Sequence, residues 1–246
     1  MLTACQQAPS KSTGTPISRS LDGHSLSLNN PPHRTRAPYT WEERYLGNFP
    51  KITKEYFRCK GNSRHPIDVG RNLRGDAICL ADCGGSDQHS LPVQEGKEHI
   101  YPILMALLNH LQTTLNRRVI VTCGHRCPSH NSYADRVGKI QSSKHLIAAE
   151  VDFYLQGLEY EPELVVEQLL NYYKEDEPSY QNFTHPQPNI WQNREIKIKT
   201  HAKDEDRDLD NQHAYPYLTV ELLYDRDTNR RVNYSWQKAF NGYMRW

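Results

Sequence analysis

The chain has 246 residues, of which 37% are hydrophobic, and its 30 basic residues nearly balance its 29 acidic ones. A formal charge of +1 gives no electrostatic argument for nucleic-acid binding, and no uninterrupted apolar run is long enough to cross a membrane. The mean hydropathy of −0.82 predicts that the packed core does not involve the whole chain.

The first 38 residues are polar, contain several Pro and Ser, and show no periodicity, so we predict a tail before a single domain at 39–246. Leu2-Thr3-Ala4-Cys5 resembles the lipobox of bacterial lipoproteins, although no apolar segment precedes it. One interpretation is a lipoprotein tether, anchored to a membrane through a lipid on Cys5 and located in the periplasm or outer envelope. The other is a disordered tail with a stray Cys.

The folded part is predicted to begin near Trp41, with loops and short strands over 60–97. Apolar residues then recur at helical spacing from Ile100 to Leu115, which predicts an amphipathic helix within "EHIYPILMALLNHLQTTLNRR". "RVIVTCG" and "AAEVDFYLQ" follow as two predicted strands.

A second helix is predicted in "EPELVVEQLLNYYKE", where Pro162 stands near the first helical position. "EIKIKTH", "YPYLTVELLYD" and "RRVNYSW" are predicted strands, with "RDTN" as the hairpin turn before the last. This order, without repeats, predicts an α+β fold with an antiparallel sheet and flanking helices.

Apart from Cys5, the cysteines suggest two alternatives. If the protein is exported, they are disulfide candidates with one left over. The other alternative is a four-cysteine zinc site, although structural zinc uses C-x2-C pairs more often than the C-x3-C spacing found here. The sequence favours disulfides, among Cys59, Cys79, Cys83, Cys123 and Cys127.

The stretch "TCGHRCPSHNSYADRVGKIQSSKHLIAAEVDF" concentrates metal-binding residue types. His145 and Asp152 lie seven residues apart in it. Hydrolytic zinc sites use imidazoles and carboxylates and keep one position open for water. A turn that leads into a strand can bring such a His and Asp to one ion, so the pair is a candidate metal site.

This stretch resembles the M15 peptidases, the zinc D-alanyl-D-alanine carboxypeptidases and dipeptidases, whose relatives include the signalling domain of hedgehog. The family pattern S-G-Y-R-C-P-x-x-N is similar to "CGHRCPSHN" at 123–131, and S-x-H-x-x-G-x-A-x-D is similar to the run from Ser143 to Asp152. The resemblance covers about residues 50–225. It implies a hedgehog/D-Ala-D-Ala peptidase-like fold and zinc as the cofactor.

Residue by residue, the resemblance implies that His145 and Asp152 are zinc ligands. It implies that Arg126 stabilises the charge that develops on the scissile carbonyl oxygen, and that Ser143 helps to orient substrate or a ligand. Two positions depart from the pattern, because the family Gly is Ala148 and the family Ala is Glu150. These departures indicate a divergent branch.

The third His ligand and the Glu base of the family pattern E-x-x-H-V-D are not found at the expected positions in "HAYPYLTVELLYD". One alignment puts Thr219 at the His position and Pro216 at the base position. The other puts Leu218 and Tyr215 there. None of these side chains can replace an imidazole on zinc or a carboxylate base.

We therefore predict that His213 enters the site from the preceding loop as the third ligand and that Asp210 is the base. Further options are Asp208, Glu205 and Asp206 for the base, and His201, a weaker candidate, for the ligand. The alternatives are a site that has lost catalysis and a wholly structural role for the His–Asp pair. The other histidines, among them His89 and His130, have no partner at ligand spacing.

The sequence predicts a zinc-dependent peptidase-like protein of the bacterial envelope. Its expected substrates are peptidoglycan stem peptides or similar D-amino-acid peptides, and no nucleic-acid partner is expected. The alternative, favoured by the missing His and Glu, is a catalytically inactive M15-fold envelope protein that binds cell-wall peptide or a protein partner. A third possibility is a secreted scaffold held together by its cysteines.

Overall fold

The structure is a computed structural model that describes residues 17–21, 24–28, 45–71, 74–135, 142–205 and 207–245. The chain divides into two units, 1–43 and 44–246. In the first unit, Ile17–Leu21 (β1) pairs antiparallel with His24–Leu28 (β2). This hairpin lies within the predicted tail. Cys5 lies outside the described residues, so its lipidation stays a prediction.

The second unit contains the remaining elements. Its strands are Tyr45–Leu46 (β3), Phe49–Pro50 (β4), Asp68–Arg71 (β5), Ala77–Leu80 (β6), Val93–Gln94 (β7), Lys97–Glu98 (β8), Val119–Cys123 (β9), Glu150–Leu155 (β10), Thr184–Gln187 (β11), Ile190–Gln192 (β12), Ile196–His201 (β13), Tyr217–Leu222 (β14), Tyr224–Asp225 (β15) and Arg230–Arg231 (β16). Its α-helices are Pro102–Leu115 (α1), Pro128–Ala134 (α2), Pro162–Glu175 (α3) and Trp236–Asn241 (α4). No helix in the described ranges is long and apolar enough to cross a membrane.

Six strands form one antiparallel sheet in the order β11-β12-β13-β14-β10-β9. The other strands of this unit pair as separate two-stranded hairpins. α1 and α3 pack against each other, and their apolar side chains share one core with the sheet. The predicted α+β class with an antiparallel sheet and flanking helices is confirmed.

Alternation along the central strands divides the sheet into two faces. Val151, Phe153 and Leu155 of β10 are at most 1% exposed and belong to the core. Because successive residues of a strand point to opposite faces, the residues between them face away from this core. β13 and β14 alternate in the same way, so one face of the sheet is apolar and the other is polar.

The element boundaries differ from the predictions at three places. α1 begins at Pro102 rather than near Glu98, because Lys97 and Glu98 form β8. The last predicted strand shortens to Arg230–Arg231, and α4 begins at Trp236. The Ser235 hydroxyl accepts a hydrogen bond from the Lys238 N–H, which is the N-cap contact that starts this helix.

Replacing Arg226 by Met is expected to lower the free energy of unfolding by about 3–5 kcal/mol, because it leaves a buried carboxylate without its cation. Glu195 is 0% exposed, and its carboxylate accepts from Arg226 Nε and Nη2, each at 2.5 Å. The Tyr173 hydroxyl donates to the same carboxylate at 2.7 Å. Urea unfolding measures the loss.

Arg230→Met is the matched control, because Arg230 lies exposed on β16. It should change the free energy of unfolding by no more than about 0.5 kcal/mol. Equal effects of the two variants would contradict a stabilising role for the buried pair.

Candidate metal centre and active-site pocket

The polar face of the sheet borders a cavity of about 380 Å³. The strand residues that line it are Glu150 and Asp152 of β10, Tyr217, Thr219 and Glu221 of β14, and Lys197, Lys199 and His201 of β13. In the antiparallel register, Thr219 stands beside Asp152 on one side and Lys199 on the other. Arg126, Ser143 and His145 reach the cavity from outside these strands.

A short 3₁₀ turn, Lys144–Ile147, places His145 directly before β10. Ser143 caps this turn, and its hydroxyl accepts a hydrogen bond from the His145 backbone N–H at 3.2 Å. The turn ends at Ala148, whose φ of 52° lies in the left-handed region that favours glycine. This chain therefore has an alanine in a conformation that favours the Gly of the family pattern.

The two ring nitrogens of His145 have different partners. Nδ1 donates to the Gly124 carbonyl at 2.6 Å and lies 3.4 Å from Cys123 Sγ. Nε2 faces Asp152 Oδ2 at 3.3 Å. A ring nitrogen bonded to a carbonyl fixes the tautomer whose other nitrogen can bind a metal. Ligand atoms of His145, Asp152 and Cys123 all lie within 4.8 Å of one another, so this group could hold a metal ion.

Asp152 is 3% exposed, and both of its carboxylate oxygens are hydrogen-bonded. Oδ1 accepts from the Thr219 hydroxyl at 2.6 Å, and Oδ2 accepts from Asn211 Nδ2 at 2.7 Å. Burial acts to raise the pKa of Asp152, but His145, Arg126 and Thr219 together lower this pKa to about 2. Asp152 is therefore ionised at neutral pH, as a metal ligand must be.

His201 lies at the end of β13, and the Thr219 hydroxyl lies between its ring and Asp152. Its Nε2 lies 3.0 Å from Thr219 Oγ1, the atom that bonds to Asp152. Its Nδ1 lies 2.9 Å from a carboxylate oxygen of Glu205, and its ring stacks on Tyr217. A carboxylate on the outer ring nitrogen is the usual orienting partner of a metal-binding histidine. The structure thus brings His201, the weaker candidate from the sequence, to the cavity.

His213 is not among the residues that line this cavity. Its ring packs against Tyr154 and Tyr217, with ring centroids 5.0 and 5.7 Å away. Its Nδ1 accepts from the Tyr215 N–H at 3.3 Å. Its Nε2 is buried and has no hydrogen-bond partner among the described residues. Because this aromatic cluster holds the ring and His213 does not line the cavity, its placement speaks against the predicted role as third ligand.

Arg126 lines the cavity although it is only 2% exposed. Its Nε donates to Asp210 and its Nη2 to Asp208, each at 2.6 Å. The other oxygen of Asp210 lies 3.0 Å from His130 Nε2. Burial acts to raise the pKa of Asp210, but His130 and Arg126 lower it below the usual range. Asp210 is thus placed to position Arg126, its role as the base stays a prediction, and Asp206 lies outside the described residues.

Glu150 lines the cavity. The sequence indicated it only as a departure from the family pattern and predicted no chemical role for it. It precedes Asp152 by two residues on β10, so both carboxylates lie on the polar face. Its Oε2 lies 3.8 Å from His145 Nε2 and accepts from the Ser143 hydroxyl at 3.4 Å. Burial raises the pKa of Glu150. The signal was present in the sequence, since a carboxylate replaces the family Ala two residues before a ligand.

Asn211 was missed as well, and no pattern could have indicated it. It is 0% exposed, and its Nδ2 donates to Asp152 at 2.7 Å and to Asp208 at 3.0 Å. Its Oδ1 accepts from the Thr122 hydroxyl at 2.7 Å. One amide therefore connects the metal-facing carboxylate to the carboxylate that holds Arg126.

None of the five described cysteines is in a disulfide, so the predicted bridges are not present in the described part of the chain. Cys79 is exposed, and Cys123 is buried beside His145. Burial raises the pKa of Cys123 to about 12, so this side chain is a thiol at neutral pH. The other three cysteines lie together near His89.

Part of the chain matches a known protein family. Residues 84–185 match the family model described as Peptidase M15. The matched range contains Arg126, His145 and Asp152, and it ends before β13 and β14 begin. No curated protein and no solved structure matches the chain. Over residues 84–185, the chain is therefore similar to the M15 peptidases.

Proposed function

We propose that the protein is a zinc-dependent peptidase that hydrolyses peptidoglycan stem peptides or similar D-amino-acid peptides. The observation that carries the proposal is the approach of His145 Nε2 and Asp152 Oδ2 to 3.3 Å beside the cavity. One imidazole and one buried carboxylate, each fixed by further hydrogen bonds, form a donor set that fits zinc. Arg126 borders the same cavity.

We further propose His201 as the third ligand. Only the Thr219 hydroxyl stands between His201 Nε2 and Asp152, with contacts of 3.0 and 2.6 Å. Glu205 holds the other nitrogen of the His201 ring. The imidazole missing from β14 is thus supplied by the neighbouring strand, because β13 and β14 present the same face to the cavity.

A bound zinc ion supplies a Lewis acid that polarises a peptide carbonyl and activates water. The residues of this chain carry the remaining steps. Glu150 takes the proton of the attacking water and passes it to the leaving amine. Arg126 stabilises the negative charge that develops on the carbonyl oxygen. Ser143 holds Glu150 through its hydroxyl and caps the turn that places His145.

The lining of the cavity supports a short charged peptide as substrate. Lys197 and Lys199 lie on the same face as the carboxylates, so the cavity presents both signs of charge. Lys197 pairs with Glu221, and Lys199 lies two residues nearer to His201 along β13. A peptide end that carries a carboxylate would meet a cation here.

Action in the bacterial envelope is part of the proposal, and its support is the resemblance of residues 2–5 to a lipobox. The competing function is a catalytically inactive M15-fold protein that binds cell-wall peptide or a protein partner. One observation favours this alternative. Thr219 takes the place of a metal-binding histidine in one alignment, and its hydroxyl bonds to Asp152.

The proposed function is tested by incubating the zinc-loaded protein with a stem pentapeptide that ends in D-Ala-D-Ala. Mass spectrometry should show one cleaved peptide bond. The same peptide with L-Ala at its end is the specificity control. Binding of the intact peptide without any cleavage, at full zinc occupancy, would support the inactive alternative instead.

Two single substitutions separate the candidate third ligands. His201→Ala is expected to weaken zinc binding at this site by at least about 100-fold, because it removes an imidazole from the ion. His213→Ala should leave the zinc affinity unchanged, because His213 packs among tyrosines. Competition with a chromophoric chelator measures both affinities. The reverse pattern would restore His213 as the ligand.

A further inference from the structure

Four potential metal ligands converge at a second place, away from the cavity of the candidate active site. We call this group the Cys–His cluster, and it consists of Cys59, Cys83, His89 and Cys127. One ligand atom of each residue lies within 4.8 Å of those of all the others. Three of the four residues are at most 4% exposed, so the group is enclosed by protein.

The distances match those of a tetrahedral ion. Cys59 Sγ and Cys83 Sγ are 3.7 Å apart, and His89 Nε2 is 3.3 Å from Cys83 Sγ. With zinc–sulfur bonds of about 2.3 Å, two sulfur ligands of a tetrahedral site lie about 3.8 Å apart. Three sulfurs and one imidazole are a donor set of structural zinc sites, in which all four positions are filled by protein.

The surroundings of the sulfurs are those of thiolate ligands. The backbone N–H of Gly85 donates to Cys83 Sγ at 3.3 Å, and that of His130 donates to Cys127 Sγ at 3.3 Å. The Nδ1 of His89 lies 3.4 Å from the Ser90 carbonyl, which leaves Nε2 toward the sulfurs. These partners stabilise negative sulfur and set the imidazole tautomer that binds a metal.

Glycines make room for the group. A Cβ on Gly61 would lie 2.1 Å from Cys83 Sγ, so only glycine allows this approach. Gly85 adopts φ of 76°, and a Cβ there would lie 2.3 Å from the Gly61 carbonyl oxygen. The backbone at both positions is therefore shaped around the Cys83 sulfur.

A second grouping around Cys83, with Asp82 and His130, does not compete. Asp82 already pairs with His130 Nδ1 at 2.7 Å and with His65 Nδ1 at 2.5 Å. The other nitrogen of His130 is occupied by Asp210. These residues form an ion-pair network without a free imidazole for a metal.

We propose that the Cys–His cluster is a structural zinc site, distinct from the candidate catalytic centre. A disulfide would use two of the three sulfurs and leave the third sulfur and the imidazole without a role. A zinc ion uses all four groups. It also joins three separate segments of the chain. These are the segment that contains Cys59, the loop at 83–89 and the start of α2.

The site has a consequence for the active site. Cys127 is the N-cap of α2 and directly follows Arg126. His130, which donates its N–H to Cys127, also contacts Asp210, the carboxylate that holds Arg126. Occupation of the Cys–His cluster is therefore expected to hold Arg126 in place, so its loss should lower peptidase turnover even when the catalytic ion is present.

Cobalt replacement tests the proposal independently of peptidase activity. Cobalt bound by three thiolates gives a strong sulfur-to-metal charge-transfer absorption, whereas cobalt on imidazoles and carboxylates does not. The His145→Ala variant, which lacks the catalytic ligand, should still bind one cobalt with this absorption. Cys127→Ser removes one of the three thiolates, so it should weaken this absorption and should melt at a lower temperature. Cys79→Ser is the matched control and should keep it, because Cys79 is exposed and outside the cluster.

Thiol protection in the unmodified protein covers the case in which Cys127→Ser fails to fold. With zinc, alkylation mapped by mass spectrometry should spare the three cluster cysteines and label Cys79. After chelation with a strong chelator, the cluster cysteines should become labelled. Cobalt binding without charge-transfer absorption, or a disulfide between two cluster cysteines in the folded protein, would overturn the proposal.

Discussion

Replacing His145 by Ala is expected to lower kcat/KM for peptide hydrolysis by about 10³-fold or more. A metal ion held by His145 would contribute several kcal/mol of charge stabilisation in the transition state, and each 1.4 kcal/mol is a factor of ten in rate. His145 is the histidine whose Nε2 directly faces the Asp152 carboxylate, at 3.3 Å. Steady-state kinetics, with the zinc content of each preparation, measure the loss.

The control for His145→Ala is His185→Ala, because His185 lies on the edge strand β11, stacks on Trp191 of β12 and does not line the cavity. His185→Ala should retain turnover within a factor of about two, as expected for a surface change. If His145→Ala also retained turnover, the proposed metal centre would be misplaced.

Glu150→Gln is expected to lower kcat by about 10²–10⁴-fold, the usual contribution of a general base. The amide keeps the size of the side chain and its contact with Ser143, but it cannot accept the proton of water. Because Glu150 is not among the proposed zinc ligands, the zinc content should remain that of the wild type. The combination of lost turnover and retained zinc identifies a proton-transfer role.

Glu221→Gln is the matched control, because Glu221 lines the same cavity and stands directly opposite Glu150 in the sheet. Its carboxylate is paired with Lys144 and Lys197. The control should affect KM more than kcat. An unchanged kcat in Glu150→Gln would refute the assignment of the base.

The fold was predictable where periodicity carried the information. The helix α1, the strands β9, β10, β13 and β14, and the helix α3 follow from alternating or helical spacing of apolar residues. The hairpin of β11 and β12 did not, because "THPQPNIWQ" contains two prolines and no alternation. α2 was hidden as well, since its seven residues are mostly polar and its cap is a cysteine.

The site was predictable only as far as the motifs extend. Arg126, Ser143, His145 and Asp152 all reach the cavity. The candidate third ligand could be found only by knowing which strand lies beside β14. The pairing of β13 with β14 brings His201 close to Thr219. His213 is nearer to the expected motif in the sequence, but its ring packs in a cluster of tyrosines. Sequence distance to the expected motif favoured His213, because cross-strand proximity is a property of the sheet that the sequence does not display.

The cysteines illustrate the same limit. Cys59, Cys83 and Cys127 come from three separate segments, and His89 showed no partner at ligand spacing in the sequence. Their convergence depends on tertiary contacts, so the pairs at C-x3-C spacing were misleading. Free thiols that gather around an imidazole are more typical of metal binding in reducing compartments than of an exported disulfide protein. The envelope location therefore stays a prediction that awaits a direct measurement.

Diffraction at the zinc absorption edge, from crystals grown with zinc, tests the proposed catalytic metal site, because it locates each ion. We expect an anomalous peak bonded to His145 Nε2 and the Asp152 carboxylate, with His201 as the third protein ligand. A separate peak in the Cys–His cluster is expected from the further proposal. A zinc-loaded crystal with no peak between His145 and Asp152 would contradict the assignment of this cavity as the metal centre of a peptidase.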